Sequence, residues 1–157
     1  KQTASLWAFI GLAFATGMLV EWIGIHTGIL FGSYQYGNVL GPKLMGVPLI
    51  IGVNWAMLSI VSVSLLASLS LGFWIEVVLG ALLMVFLDFL MEPVAVKLGF
   101  WYWKDGVIPA YNYICWLGIS LFLQFVYRKW RLNESNNVAV ALFIYMTIFF
   151  TFLNFRL

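Results

Sequence analysis

Charged residues are scarce in this sequence. Of its 157 residues 9% are charged and 64% are hydrophobic, whereas about 25% of a soluble domain is charged. A mean hydropathy of +1.01 therefore excludes an ordinary soluble domain and predicts an integral membrane protein. The net charge of +2 and the pI near 8.8 fit ordinary positive loops and no nucleic-acid partner. They also argue against the acid-coated surface of a halophile. We therefore expect the protein to lie in the lipid bilayer of a bacterial cytoplasmic membrane.

Cysteine and histidine are scarcer still. Cys115 is the single cysteine and cannot form a disulfide within the chain, and His26 is the single histidine. No Cys/His cluster offers a metal site, so we expect no metal. We also expect no cleavable signal sequence, because the first apolar run is too long for one. The chain does not begin with Met, which leaves open whether residues precede Lys1.

The apolar runs predict an all-α fold, a transmembrane bundle of at least five helices in one domain, residues 1–157. A helix of about 20 apolar residues crosses the hydrocarbon core, and the runs lack the alternation of a transmembrane barrel. The expected spans are residues 5–25, 45–68, 73–96, 111–127 and 138–155. Residues 67–72 are unusually apolar for a turn, which predicts either a very tight connection or a missing stretch of chain. We favour the second.

Positive charge leaves the orientation open. Four basic residues fall on each side of the predicted bundle, and only the compact cluster at Arg128, Lys129 and Arg131 favours one side as cytoplasmic.

Three acidic residues give a stronger inference. Asp88 and Glu92 lie four residues apart and share one helix face, and Glu21 lies near the end of the first span. A charge at the bilayer centre costs roughly 2.5–3.5 kcal/mol on insertion scales, so such residues face a cavity or a partner. Alternating helix directions place all three acids on one side, under the loops at 26–43 and 97–110. We expect a one-sided polar pocket there, and almost no polar side chains in the opposite half.

Simpler interpretations exist for each acid. Glu92 would pair with Lys97 or Lys104 at the membrane surface, Glu21 would anchor the interface, and Glu76 would be merely interfacial. A belt of interfacial aromatic residues would account for part of the aromatic content. The polar and aromatic side chains that we expect around the acids are Tyr34, Tyr36, Asn54, Trp55, Trp101, Trp103, Asn112 and Trp116.

An ordered series of motifs resembles a known family. It comprises Glu21-Trp-Ile-Gly24, Phe31-Gly32-Ser-Tyr34-Gln-Tyr36, Asp88 with Glu92-Pro93, Gly99-Phe-Trp101-Tyr-Trp103, and Pro109-Ala-Tyr-Asn112-Tyr-Ile-Cys-Trp116. Over roughly residues 17–118 the chain resembles the carotenoid biosynthesis membrane proteins, which include CruF-type end-group hydratases and bisanhydrobacterioruberin hydratases. Family motifs commonly read Asp-Pro where this chain has Glu92-Pro93, and family members are usually longer.

The resemblance implies hydration of the terminal C=C of an acyclic carotenoid such as lycopene or γ-carotene, without a redox cofactor. This chemistry needs a proton donor, a site that tolerates a tertiary carbocation, and a positioned water. A carboxyl group removed from water can stay protonated near neutrality, so Asp88 is our expected acid. Glu21 or Glu92 would orient the water and accept its proton. The cation would be stabilised by the faces of Trp55, Trp101 or Trp116, while the amides and phenols, Tyr34, Tyr36, Asn54 and Asn112, would hold the water or the product hydroxyl.

Other functions stay open at this point. A lycopene cyclase would use the same protonation and quench the cation with an internal double bond. A small transporter or proton channel would use the three acids as a relay, and a non-catalytic protein would bind carotenoid or lipid. Glycines on the first and third helices would allow close packing, which leaves a homo-oligomer open.

Overall fold

The computed structural model describes residues 2–132 and 136–157. These residues form five helices and two short antiparallel ribbons. The helices are α1 (Gln2–Thr27), α2 (Leu49–Ser64), α3 (Phe73–Lys97), α4 (Ala110–Lys129) and α5 (Asn137–Arg156). In one ribbon β1 (Tyr34–Tyr36) pairs with β4 (Trp101–Trp103), and in the other β2 (Lys43–Leu44) pairs with β3 (Val47–Pro48). The fold is thus mostly helical, as expected.

Three helices are long and apolar enough to cross a membrane. They comprise Thr3–Thr27, Phe73–Lys97 and Asn137–Arg156, and they match the first, third and fifth expected spans. The count of five spans is not confirmed. Helix α2 has 16 residues, about 24 Å of helix, against a hydrocarbon core of about 30 Å. Helix α4 carries Asn112, Gln124 and a basic last turn, which lower its mean hydropathy.

The connection from α2 to α3 is a compact turn. Helix α2 ends at Ser64, four residues earlier than expected, and the chain turns through residues 65–72. The Leu69 amide donates to the Leu66 carbonyl at 2.9 Å, and Ser70 adopts φ +48°. The turn brings α3 back alongside α2.

The packing of the helices places both long loops on one side. Helix α1 packs against α2 and α3 against α4, around a core that includes Phe9, Trp55 and Leu87. The β1–β4 ribbon joins the loop after α1 to the loop after α3. Both loops therefore cap the same end of the bundle, as predicted from the alternating helix directions.

The opposite half of the bundle is less apolar than expected. Glu76 is 3% exposed there, and its Oε2 atom lies 2.5 Å from the Nε atom of Arg128. Gln124 is also buried, and its amide donates to the Ser59 carbonyl at 2.9 Å. The prediction of almost no polar side chains in this half was wrong, and so was the interfacial placement of Glu76. The reason is that α3 packs against α4, and this packing brings Glu76 of α3 to Arg128 of α4.

Candidate active site

The β1–β4 ribbon forms one wall of the site. Successive side chains of a strand point to opposite faces, and the register pairs Tyr34 with Trp103 and Tyr36 with Trp101. All four rings therefore share the inward face, while Gln35 lies exposed on the outer face. We call these four residues the aromatic face of the ribbon.

The ribbon ends in a close backbone approach. The Gly37 amide donates to the Phe100 carbonyl at 2.8 Å. A Cβ atom at Gly37 would lie 2.0 Å from the Gly99 carbonyl oxygen, so only glycine fits at this position. The approach closes the end of the ribbon above the helices.

Glu21 on α1 accepts three hydrogen bonds. The donors are the Tyr34 hydroxyl, the Tyr36 hydroxyl at 2.6 Å and the Trp55 indole nitrogen at 3.0 Å. Burial raises the pKa of the Tyr34 and Tyr36 phenols well above the ordinary value, and the charge of Glu21 adds to the rise. Both phenols therefore remain protonated donors near neutral pH.

Two glycines on α1 make room for these donors. They lie about one turn before and one turn after Glu21, on the same helix face. A Cβ atom at Gly17 would lie 2.5 Å from Trp55 Cδ1, and one at Gly24 would lie 2.8 Å from the Tyr34 hydroxyl. The small residues thus allow the rings of Trp55 and Tyr34 to reach the carboxylate.

Glu92 on α3 has a matching set of donors. Its Oε2 atom accepts from the indole nitrogens of Trp101 at 2.9 Å and Trp103 at 3.0 Å. Its Oε1 atom accepts from the Asn112 amide at 3.1 Å. The aromatic face of the ribbon therefore serves two carboxylates, β1 binding Glu21 and β4 binding Glu92.

Asp88 has fewer partners than the two glutamates. The Asn112 amide that bonds Glu92 also donates to Asp88 Oδ2, at 3.2 Å. This is the one hydrogen bond that Asp88 accepts from the described residues, although its side chain is only 1% exposed. One amide from α4 thus holds two acids of α3 that are a helix turn apart.

None of the three acids pairs with a cation in the described part of the chain, where the Glu76–Arg128 pair is the one salt bridge. The pairing of Glu92 with Lys97 or Lys104 was therefore wrong. Glu21 is 5% exposed and bonded to three rings, so the interpretation as an interfacial anchor was wrong too. Nor is any group of three or more His, Cys, Asp or Glu side chains in this part of the chain placed to hold a metal ion.

A cavity of about 30 Å³ lies between the acids. A water needs about 10–15 Å³ of such volume, so there is room for about two. The Trp55 and Trp116 rings stack at its edge with centroids 3.9 Å apart. The structure brings together all eleven predicted site residues, Glu21, Tyr34, Tyr36, Asn54, Trp55, Asp88, Glu92, Trp101, Trp103, Asn112 and Trp116.

Sequence reasoning missed three apolar residues that line the same cavity, namely Phe31, Ile51 and Met91. An apolar side chain in an apolar sequence carries no signal of its own. Phe31 had one indirect signal, its place beside Gly32 in a glycine-rich loop. It adopts φ +64°, and its amide donates to the Cys115 sulfur at 3.3 Å.

A comparison with known families assigns the chain. The model of the carotenoid biosynthesis protein family matches residues 2–156. The chain belongs to this family. The resemblance inferred from the motifs is thereby confirmed, and three apolar helices in a carotenoid biosynthesis protein indicate a membrane protein.

One characterised relative is similar to this carotenoid biosynthesis protein. It is the bisanhydrobacterioruberin hydratase of Haloarcula japonica, 30% identical over 130 residues. The match covers 79% of this chain and 40% of the relative, so the chain spans about two fifths of the length of that protein. No solved structure matches the chain.

Proposed function

We propose that this protein is a multi-pass membrane hydratase that adds water to the terminal C=C of an acyclic carotenoid end group, of the lycopene or γ-carotene type. The observation that carries the proposal is the buried cavity in which Glu21, Asp88 and Glu92 meet without a cation, among electron-rich rings and with room for about two waters. The relative's hydratase activity supports the reaction type. Hydration is redox-neutral, so the reaction itself requires no redox cofactor.

Asp88 is the proposed proton donor. Three negative charges in one buried cavity would repel one another, so at least one of these carboxyl groups holds a proton. Glu21 and Glu92 each accept three hydrogen bonds, which favours the ionised form of a carboxyl group. Asp88 accepts one. Its proton passes to the terminal alkene, and the positive charge develops on the tertiary carbon.

The surrounding rings stabilise this cation. A cation within about 6 Å of an indole face is attracted to it, and Trp101, Trp103 and Trp116 line the cavity. No lysine or arginine lines the cavity among the described residues, so no positive side chain there repels the cation. The carboxylates of the site supply the negative charge that stabilises the intermediate.

Water held in the cavity then attacks the tertiary carbon. Glu92 accepts the proton that this water releases and returns it, through a water in the cavity, to Asp88 one helix turn away. The Asn112 amide donates to both acids and holds them side by side. The net reaction adds one water, and both acids end in their starting states. Glu21 holds the phenols of Tyr34 and Tyr36 and so fixes the ribbon over the cavity.

The test is the pigment profile of lycopene-producing cells that express the protein. We expect an end group heavier by one water, as a tertiary alcohol. Asp88→Asn removes the proton donor, and loss of general acid catalysis costs about 10²–10⁴-fold. The matched control is Asp105→Asn, the same chemical change at an exposed loop residue outside the cavity, which should retain activity.

Each other result contradicts the proposal. A cyclised end group would indicate a cyclase with the same protonation step. Unchanged lycopene that co-purifies with the protein would indicate a binding protein. Full hydration by the Asp88→Asn variant would remove Asp88 from the mechanism.

A further inference from the structure

An apolar cavity lies directly beside the polar one. Its volume is about 170 Å³. It shares four lining residues with the polar cavity, namely Ile51, Asn54, Met91 and Trp101. The two cavities are therefore neighbours that meet at a common wall.

The remaining walls of the apolar cavity come from three helices and two loops. Ala95 follows Met91 by one turn on α3, Ile50 lies in the first turn of α2, and Phe150 comes from α5. Ile50 is 48% exposed, so the outer rim of the cavity reaches the bundle surface beside α5. Helices α3 and α5, which are long and apolar enough to cross a membrane, both contribute to the wall of this cavity.

We propose that this apolar cavity binds the end of an acyclic isoprenoid chain, which enters sideways from the bilayer between α2 and α5. The inference rests on the proposed function and deepens it, because it names the route and the binding site of the substrate. A cavity of about 150 Å³ lined by Leu, Ile and Phe holds a benzene molecule. The cavity thus takes a terminal group of about five or six carbons, while the remaining polyene stays in the lipid.

Asn54 marks where the end group meets the acids. Its side chain is half-buried, lines both cavities, and makes no hydrogen bond to another described residue. An amide without a protein partner at this junction suits the water that adds to the double bond, or the hydroxyl group of the product. An end group inserted from the apolar side places its terminal double bond beside Asn54 and Trp101, next to the water-sized cavity.

The test measures binding rather than catalysis. The full chain, in lipid nanodiscs, is titrated with lycopene. After size-exclusion chromatography, protein-bound polyene is measured as the visible absorbance in excess of that of nanodiscs without protein. Phe150→Trp enlarges a side chain that lines the cavity. The matched control is Phe149→Trp, at the next residue on α5, which lies outside this cavity. We expect at least about tenfold weaker binding for Phe150→Trp, the effect of a small size misfit in an apolar pocket, and unchanged binding for Phe149→Trp.

A second pair of variants protects the test against misfolding. Ile50→Trp narrows the opening from the surface, and Val53→Trp makes a similar change outside the cavity at nearly equal exposure, 49% against 48%. We expect weaker binding for Ile50→Trp alone. If Phe150→Trp and Ile50→Trp both elute as the wild type does and bind lycopene equally well, the apolar cavity is not the site.

Asp88→Asn separates this inference from the proposed function. It lies outside the apolar cavity, so we expect it to bind lycopene normally without hydrating it. Normal hydration by Asp88→Asn together with weak binding by Phe150→Trp would contradict the mechanism alone. Normal binding by both cavity variants together with an inactive Asp88→Asn would contradict the route alone.

Discussion

Two buried polar regions lie along α3 and α4, and they differ in the partners of their acidic side chains. At one end, Glu76 forms an ion pair with Arg128. At the other end, Asp88 and Glu92 meet only neutral donors, and the Asn112 amide is shared between them. The paired acid has its charge fixed by a cation. The acids without a cation can hold or release a proton, which is what acid catalysis requires.

One spacing builds both regions. The polar residues of the two regions lie at multiples of four residues along each helix: Glu76, Asp88 and Glu92 on α3, and Asn112, Gln124 and Arg128 on α4. Between the two regions lie Met84, Leu87 and Leu123, all fully buried. These side chains, together with the buried Ser59 and Ser120, lie between the ion pair and the acid cluster.

The largest expected difference concerns the same substitution in the two regions. Glu76→Gln leaves the Arg128 charge without its partner, and breaking a buried pair typically costs 3–5 kcal/mol. Because Arg128 remains 27% exposed, we expect a loss of about 2–3 kcal/mol in the free energy of unfolding. Glu21→Gln should change this free energy by less than about 1 kcal/mol, since an amide can still accept from Trp55 while the two phenols rotate to accept from it.

Thermal unfolding in detergent measures both changes. A double variant, Glu76→Met with Arg128→Met, serves as the control, because apolar replacement of a buried pair is often neutral or stabilising. Equal destabilisation by Glu76→Gln and Glu21→Gln would mean that the two regions do not differ as the contacts indicate.

A smaller difference is expected between two glycines. A Cβ atom at Gly17 would meet the Trp55 ring at 2.5 Å, and this ring is fully buried and stacked on Trp116. We expect Gly17→Ala to cost about 1–2 kcal/mol of stability through overpacking. It should also reduce the proposed hydratase activity, because it moves the indole that donates to Glu21. At Gly80 the Cβ atom would meet Gln124 Oε1 at 2.9 Å, a smaller overlap, so Gly80→Ala should cost less than Gly17→Ala, about 1 kcal/mol.

Gly11→Ala calibrates this pair of variants. Among the described residues, no atom beyond the neighbouring backbone of α1 lies within 4 Å of a Cβ built at Gly11, and alanine is favoured over glycine in a helix by about 0.5–1 kcal/mol. Gly11→Ala should therefore stabilise the protein and leave the proposed hydratase activity unchanged. A larger loss at Gly80 than at Gly17 would show that the Trp55 ring is free to move.

Much of the acid site was predictable because its residues carry strong local signals. Placing a carboxylate in an apolar run costs free energy, and the spacing of four between Asp88 and Glu92 indicates that they share one helix face. The alternating directions of the helices then predicted that Glu21 and both loops lie at the same end as these two acids. The β1–β4 register was not predictable, since three-residue strands so far apart in sequence carry little pattern.

The ion pair was missed for a different physical reason. Glu76 and Arg128 each lie near a helix end, where a charged residue ordinarily reaches water. Only the packing of α3 on α4 buries them together. Five spans were expected because apolar runs were counted through the α2–α3 turn and the polar α4, whereas helix length depends on where the chain turns.

The smallest expected effect is one of pH. The raised pKa of Tyr34 and Tyr36, caused first by burial, keeps both phenols protonated as the pH rises past the ordinary value of about 10. Their contribution to stability is therefore complete below that pH and is lost progressively as the pH rises from that value through the raised pKa of the folded protein. The test compares the wild type with a Tyr34→Phe, Tyr36→Phe double variant. When folded, the two proteins should gain the same tyrosinate absorbance between about pH 9 and pH 11. When unfolded, the wild type should gain the absorbance of two more tyrosinates than the variant. The Glu76–Arg128 pair also persists in this range, because arginine keeps its charge. If the folded wild type gained the absorbance of two additional tyrosinates, the phenols would titrate freely, and Glu21 would not be held by neutral donors.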